Sequence, residues 1–380
     1  MNANEKLEIL GFAAQYDLSC CGRSINKKEH FRAGIYPSIM SNGQVCPIMK
    51  TLYTNKCKND CVYCENRVSS DKVKRISFKP QELANLFMKI YRSSEVFGLF
   101  LSSGVCNNSD STMTEMIETA EILRYRYHFK GYLHLKVLPY TSSHLIAKAS
   151  QLATRLSINV EAPTPQQLEK LCPGKDMYNG ILSPIDTIQK YTHFKKDHLK
   201  ATTQFVVGAG QEKDQEILKT MFWLKNKKDI FRTYFSAFLP LNGTSSPQNM
   251  RQTFTREHRL YQSEFLGRQY GFNYQDIFFE KDGNLSSAID PKLNYALHKP
   301  EKFPIEVNQA SQNDLLKIPG IGPNIAKKIV QIRKAYRFNY LEELKRLRVD
   351  IKRAAPFILL NGRKQGSVKN LIIAEQLALI

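Results

Sequence analysis

The stretch TNKCKNDCVYCENR, residues 54–67, sets three thiols at Cys57, Cys61 and Cys64 in a C-x3-C-x2-C spacing. Thiolates are soft ligands that suit zinc and iron–sulfur clusters. A structural zinc wants a fourth Cys or His at close spacing, and this stretch offers none; His30 and Cys46 stand outside it. Three thiolates suit another group better. They hold three irons of a [4Fe–4S] cluster and leave the fourth iron open to a chelating ligand. A zinc site and three unconnected thiols are the plainer alternatives.

Elements that would position these thiols follow in a regular alternation. Strand-like runs at 47–54, 97–103, 131–139, 155–162, 201–210 and 231–241 are followed by helical patterns at 79–93, 113–127, 142–153, 164–172, 215–227 and 256–270. In the first helix Leu83, Leu86, Phe87 and Ile90 recur at helical spacing. Six βα units in a row imply a parallel sheet covered by helices. Six is fewer than the eight that close a full barrel, so the expectation is a partial (β/α)6 TIM-like barrel. Ligands of such sheets sit at the C-terminal strand edges, and the cysteines directly follow the first strand.

The expected domains are a lead-in over 1–45, the partial barrel over 46–280, a linker over 281–304, a small all-α module over 305–362 and a tail over 363–380. The lead-in carries a short helix near KLEILGFAAQY and then reads as loop. Against 35 Asp and Glu stand 55 Lys and Arg, a formal charge of +20. That excess favours anionic partners, nucleic acid ahead of a membrane surface, although a merely basic protein would show it too. No run is long and apolar enough to span a bilayer, and the start lacks a signal-peptide layout. The eight cysteines are too few for a disulfide scaffold in a chain of 380. A cytoplasmic home is the expectation.

The cysteine spacing, the aromatic Tyr63 before the last cysteine and the βα count together resemble the radical S-adenosylmethionine superfamily. The resemblance implies that the open iron chelates S-adenosylmethionine, that its reductive cleavage yields a 5′-deoxyadenosyl radical, and that the radical abstracts hydrogen from substrate. It implies an electron donor such as flavodoxin or ferredoxin. The family's second strand usually ends in Gly-Gly-Glu; here the matching residues are Ser102, Ser103 and Gly104, a departure that leaves hydroxyls and carbonyls to accept from the ammonium of S-adenosylmethionine. On the third strand His134 and Lys136 alternate, and Lys136 is a partner for the carboxylate. Ser157, Asn159 and Glu161 recur at period two on the fourth strand and so share a face; the choice is between ribose and carboxylate contacts and a solvated face. Gln204 on the fifth strand is a candidate of the same kind. Cys106 lies just past the second strand, where spore photoproduct lyase, which this layout resembles, carries a hydrogen-atom donor; an ordinary loop thiol is the alternative. Cys20, Cys21 and Cys46 could belong to a second site, and Cys172 reads as a core residue at a helix end.

Near the C-terminus, LLKIPGIGPNIAKKIV (315–330) reads as helix, tight turn, helix, with Gly320 and Gly322 in the turn and Pro323 opening the second helix. This resembles the helix-hairpin-helix DNA-binding motif. The resemblance puts the phosphate contacts on Gly320, Ile321, Gly322, Asn324, Lys327 and Lys328. Residues 305–364 carry thirteen Lys and Arg against five Asp and Glu. A structural or protein-binding helical cap is the alternative.

Taken whole, KLEILGFAAQYDLSC, KTLYTNKCKNDCVYCENR, GLFLSSGV, GYLHLKVLP and RLSINVEAPT resemble DNA modification or repair radical S-adenosylmethionine proteins associated with a uracil-DNA-glycosylase-like companion; they cover most of residues 5–240. The expectation is radical chemistry on nucleic acid, with DNA first. Two readings stay open beside it: the same chemistry on tRNA or other RNA, and a non-catalytic iron–sulfur protein that binds nucleic acid.

Overall fold

The computed structural model describes residues 1–15, 34–39, 45–194, 198–240 and 247–368. Cys20, Cys21 and His30 lie outside the described residues. Helix α1 (Ala3–Ala13) starts at Asn2, whose side chain accepts from the Glu5 N–H while the Glu5 carboxylate accepts from the Asn2 N–H. Strand β1 (Ile35–Ile39) runs antiparallel to β2 (Val45–Leu52). The chain continues through α2 (Pro80–Arg92), β3 (Gly98–Ser102), α3 (Ser109–Glu121), β4 (Tyr132–Lys136), α4 (Ser143–Leu152), β5 (Arg155–Ser157), α5 (Pro165–Leu171) and α6 (Ser183–Phe194). It goes on with β6 (Lys200–Val207), α7 (Asp214–Lys227), β7 (Ile230–Ala237) and α8 (Pro247–Gln269).

The seven strands lie in the sheet in sequence order, and β2 to β7 are parallel. Right-handed crossovers that always step the same way place every helix on one face of a sheet. A doubly wound sheet would reverse its order at a switch point, and none occurs. The six expected parallel strands are therefore those of a partial barrel. Parallel strands also gather their C-terminal ends, and the loops after them, at one edge.

Several features differ from the sequence reading. Residues 35–39, expected as loop, form β1. Its signal is short and holds Pro37, which an edge strand tolerates. The strand expected over 155–162 keeps regular pairing only for Arg155–Ser157. Beyond it the Thr203 hydroxyl takes over part of the ladder, donating to the Ile158 carbonyl at 2.7 Å and accepting from the Val160 N–H at 3.1 Å. Glu161 then rejoins β6 through a bridge to Phe205. Helix α6, with the π-helical turn Met177–Leu182 before it, is an element the sequence reading left unassigned.

The chain divides into two compact units, Met1–Glu212 with Trp223–Thr253 and Lys213–Phe222 with Phe254–Ile380. The expected linker over 281–304 is not a linker: it carries α9 (Pro291–His298), capped by Asp290, whose Leu293 and Ala296 are buried in the core of the second unit. That unit continues with β8 (Ile305–Glu306), α10 (Gln312–Lys317), α11 (Pro323–Ile332), α12 (Leu341–Arg346), α13 (Ile351–Ala354), β9 (Ile358–Leu360) and β10 (Arg363–Lys364). Its core joins Val307, Leu315, Ile318, Ile329, Phe338 and Phe357. The helices expected there are present. A three-stranded sheet in the order β10-β9-β8 joins them, so the module is not all-α, and the expected tail contributes its first two residues to β10. Among the described residues no helix is long and apolar enough to cross a membrane.

Close approach of β3 and β4 depends on Gly98, where an added Cβ would lie 2.5 Å from the Tyr132 carbonyl oxygen and 2.7 Å from its Cβ. Backbone cannot yield as a flexible side chain does. Gly98→Ala is expected to destabilise the protein by about 1–3 kcal/mol, read as a lower denaturant midpoint; an unchanged midpoint would show that the two strands can part without loss.

Candidate active site

A cavity of about 270 Å³ opens among the loops that follow the strands of the first unit. Cys57, Cys61 and Cys64 all line it, with Tyr63, Ser102, Ser103, Gly104, Lys136, Asn159, Glu161 and Gln204. All of these are candidates from the sequence. Apolar side chains complete the cavity wall: Leu52, Val137, Leu138, Pro139, Phe238 and Leu239.

The loop after β2 has no regular element to fix the thiols, so side chains do it. Arg75 donates to four of the loop's carbonyl oxygens: Asn55 and Asn66 at 2.7 Å, Arg67 at 2.6 Å and Ser70 at 2.8 Å. Asn55, fully buried, donates to the Lys74 carbonyl and accepts from the Ile76 N–H, both at 2.8 Å. The Cys57 sulfur accepts from the Val105 N–H at 3.4 Å, which ties it to the loop after β3. Gly104 makes that contact feasible: a Cβ there would lie 2.8 Å from the Lys56 carbonyl oxygen and 3.0 Å from the Cys57 Cβ. The Val62 N–H donates to the Leu171 carbonyl at 3.0 Å, which sets Cys61 against the end of α5.

Behind the thiols lies a buried polar group. Glu161, 3% exposed, accepts from the Tyr63 hydroxyl at 2.5 Å and from the Asn159 amide at 3.4 Å. Its carboxylate is 3.5 Å from the ammonium of Lys175, which is 8% exposed. Burial and the Glu161 charge hold the Tyr63 hydroxyl protonated well above the usual phenol range. Burial opposes the charge on Lys175, yet the Cys172 and Cys61 sulfurs and Glu161 hold its pKa well above the ordinary value. A hydrogen bond from Cys172, assisted by the charge of Lys175, draws the pKa of the Cys61 thiol below the ordinary thiol value. That same bond, together with burial, pushes the Cys172 thiol up, so Cys172 is the donor of the pair. Glu161 itself stands in the left-handed region at φ 66°, a strained conformation for a residue other than glycine.

Not every candidate meets at the cavity. Ser157 lies deeper: its hydroxyl pairs with His134 Nε2 at 2.8 Å, and it lines a smaller void shared with Lys136, Asn159 and Gln204. His134 is fully buried against Phe100, and burial, with the charges of Arg155 and Lys136, holds it neutral. Cys106 is not among the cavity-lining residues; its thiol faces the Asn107 side-chain oxygen at 3.9 Å. Cys46 is buried in β2 opposite Ser38 and does not line the cavity either. Cys172, read as a core residue at a helix end, is fully buried at the end of α5 and also touches Cys61. Sequence reading missed Lys175 and Arg75 outright. Both lie in stretches without periodic pattern, where a lone basic residue gives no signal.

In the second unit α10, a tight turn and α11 form the hairpin. Gly320 has φ 84°, and a Cβ there would meet the Asp350 carbonyl oxygen at 2.6 Å. Gly322 is the N-cap of α11 and Pro323 its first residue. Asn324, Lys327 and Lys328 are exposed, whereas the Ile321 side chain is 1% exposed and anchors the turn in the core. The Ile321 backbone is engaged as well, its N–H donating to the Ile318 carbonyl at 3.2 Å.

The three thiols fit a cluster in their chemistry. All are cysteine, all line the cavity, and Gly104 leaves room beside Cys57. Among the described residues no three His, Cys, Asp or Glu side chains converge as for a single ion; a cluster takes each thiolate on a separate iron.

A helix-hairpin-helix motif family matches residues 301–349. Among solved structures the chain is similar to the FeFe-hydrogenase maturase HydG from Carboxydothermus hydrogenoformans, at 14% identity over 56% of this chain and 51% of that one, with a TM-score of 0.45. It is similar to the radical SAM enzyme coproporphyrinogen III oxidase, HemN, from Escherichia coli, at 12% identity over 59% of this chain and 53% of that one, TM-score 0.36. It is also similar to the radical S-adenosylmethionine methyltransferase TsrM from Kitasatospora setae, solved with cobalamin and a [4Fe-4S] cluster, at 12% identity over 50% of this chain and 34% of that one, TM-score 0.36. The chain thus spans about half the length of HydG and of HemN. Likeness this distant carries no argument about function. No curated protein matches the chain in sequence.

Glu161 and Lys175 are both buried, so removing one strands the other. Glu161→Ala is expected to lower the stability of the cofactor-free chain by about 3 kcal/mol, and Lys175→Met added to it should recover much of that loss. If the double variant unfolds as early as the single one, the two charges are not coupled.

Proposed function

We propose that this chain is a radical S-adenosylmethionine enzyme that acts on nucleic acid, with DNA the first candidate. The observation that carries the reading is the meeting of Cys57, Cys61 and Cys64 with Lys136, Asn159, Glu161 and Gln204 around one cavity at the strand ends. The three cysteines would hold a [4Fe–4S] cluster. When bound, cluster and S-adenosylmethionine together supply a 5′-deoxyadenosyl radical able to take hydrogen from an unactivated C–H bond.

The chain's own residues bind, orient and exclude water. Ser102, Ser103 and Gly104 offer hydroxyl and carbonyl acceptors for the ammonium of S-adenosylmethionine, and Lys136 a cation for its carboxylate. Asn159, Glu161 and Gln204 offer hydrogen-bonding groups for the ribose. Tyr63 and Lys175 hold the Glu161 carboxylate in place. The apolar wall of Leu52, Val137, Leu138, Pro139, Phe238 and Leu239 limits water at the reacting carbon. Ser157 would act from the layer beneath, through its pair with His134. In this reading Cys106 is a hydrogen donor only if its loop turns the thiol toward the cavity.

The hairpin and the chain's charge of +20 support a nucleic-acid substrate. Gly320 and Gly322 would present backbone, and Asn324, Lys327 and Lys328 side chains, to phosphates, with Ile321 anchoring the turn from the core. A uracil-DNA-glycosylase-like companion, a flavodoxin or ferredoxin donor and a cytoplasmic setting belong to the same reading and rest on resemblance alone.

The test is anaerobic reconstitution with iron and sulfide, reduction, and addition of S-adenosylmethionine with duplex, single-stranded or damaged DNA, or with tRNA. About four irons per chain, and 5′-deoxyadenosine that rises with DNA, are expected. The Cys57→Ala, Cys61→Ala, Cys64→Ala variant should lose both. A rise with tRNA instead would move the substrate to RNA. A cluster that assembles without 5′-deoxyadenosine under any condition would leave a non-catalytic binding protein. Binding itself should weaken steeply with salt and little with sequence, and Lys327→Ala with Lys328→Ala should flatten the salt dependence by about two phosphate contacts.

A further inference from the structure

Lys292 stands at the second position of α9, outside the hairpin, yet its ammonium donates to the Ile321 carbonyl at 2.6 Å. It is 9% exposed and lies 4.5 Å from the centre of the Tyr270 ring. A buried lysine is costly unless its charge finds partners. The carboxylate that acts on it, Asp290, is itself in contact with the Arg353 guanidinium of α13. What the Lys292 ammonium holds directly is the backbone of the hairpin turn.

The geometry of the peptide unit gives this contact a consequence. In a planar trans peptide the carbonyl and the following N–H point in opposite directions. A carbonyl of Ile321 drawn toward Lys292 therefore turns the Gly322 N–H to the other side, at the start of α11. The neighbouring Gly320 carbonyl is held as well, accepting from the Asp350 N–H at 3.2 Å. The buried Ile321 side chain fixes the turn from within.

We propose that Lys292 is the positioning residue of the hairpin: its ammonium sets the Ile321–Gly322 peptide for a phosphate and places a positive charge behind it. This rests on the reading that the hairpin binds nucleic acid. The charged groups around Lys292 are Asp290 at the cap of α9, Arg353 on α13 and Lys317 on α10, with Tyr270 beyond α8 as the titratable neighbour. Burial lowers the Lys292 pKa, Asp290 opposes this, Arg353 and Lys317 add to it, and the result is about 7. A phosphate at the turn favours the charged amine. Binding then takes up a proton, so affinity falls as pH rises through 7 and recovers as pH drops.

The experiment measures fluorescence anisotropy of a short labelled DNA duplex with the full chain from about pH 6 to about pH 8.5. The parent should lose affinity several-fold across that range. Lys292→Met should bind about tenfold more weakly than the parent at the acid end and show little pH dependence. Lys292→Arg, charged throughout, should bind well at both ends. A Lys292→Met protein that binds like the parent and keeps the parent's pH slope overturns the proposal. If Lys292→Met fails to fold, a flat parent profile, or a Lys292→Arg profile as steep as the parent's, overturns it equally. The underlying reading fails separately: it falls if the parent does not bind, or if Lys327→Ala with Lys328→Ala leaves binding unchanged. Sensitivity to Lys327 and Lys328 without sensitivity to Lys292 sinks this proposal alone.

Discussion

Everything at the cavity depends on how a long irregular loop satisfies its own backbone. Between β2 and α2 the chain makes no regular helix or strand, so its carbonyl oxygens need partners from elsewhere. Arg75 provides four of those bonds from one planar guanidinium. A lysine has three donors on a single point and could not reach the same spread of oxygens. The thiols at 57, 61 and 64 are thereby fixed by a residue that touches none of the chemistry.

The second constraint is electrostatic. One buried carboxylate, Glu161, beside Asn159 at the strand end, ties that end to the cysteine loop through Tyr63 and to the turn after α5 through Lys175. Lys175 and Cys172 in turn bear on Cys61. A charge this deep is tolerated only when its partners are complete. Loop, strand end and turn therefore hold their mutual geometry together at the cavity.

How much of this the sequence disclosed follows from what carries a pattern. The parallel strands and most of their helices were legible because apolar periodicity repeats over many residues, as at Leu83, Leu86, Phe87 and Ile90. The cysteine wall was legible because three thiols at short spacing have few other uses. The polar set on and just after β5 was legible in part. Asn159 and Glu161 from its period-two spacing line the cavity, but Ser157 lies a layer deeper, and the Thr203 hydroxyl replaces regular pairing beyond it. Arg75, Lys175 and Lys292 were not legible. Each is a single cation whose role is set by carbonyls or carboxylates far away in sequence. The stretch taken for a linker failed similarly, because the burial of Leu293 and Ala296 depends on residues of the hairpin module.

Glu161 has a further consequence, for how this protein can change over generations. Its backbone is left-handed, a conformation that costs a residue with a Cβ about 1–2 kcal/mol. Glycine would release that strain and would be the easiest stabilising replacement for the backbone. It would also remove the carboxylate on which Tyr63, Asn159 and Lys175 converge. The gain and the loss are bound to one codon, so the position has no gradual path toward greater stability. Related chains that keep this cavity should retain an acidic residue here despite the strain, and those with glycine should lack the buried lysine as well.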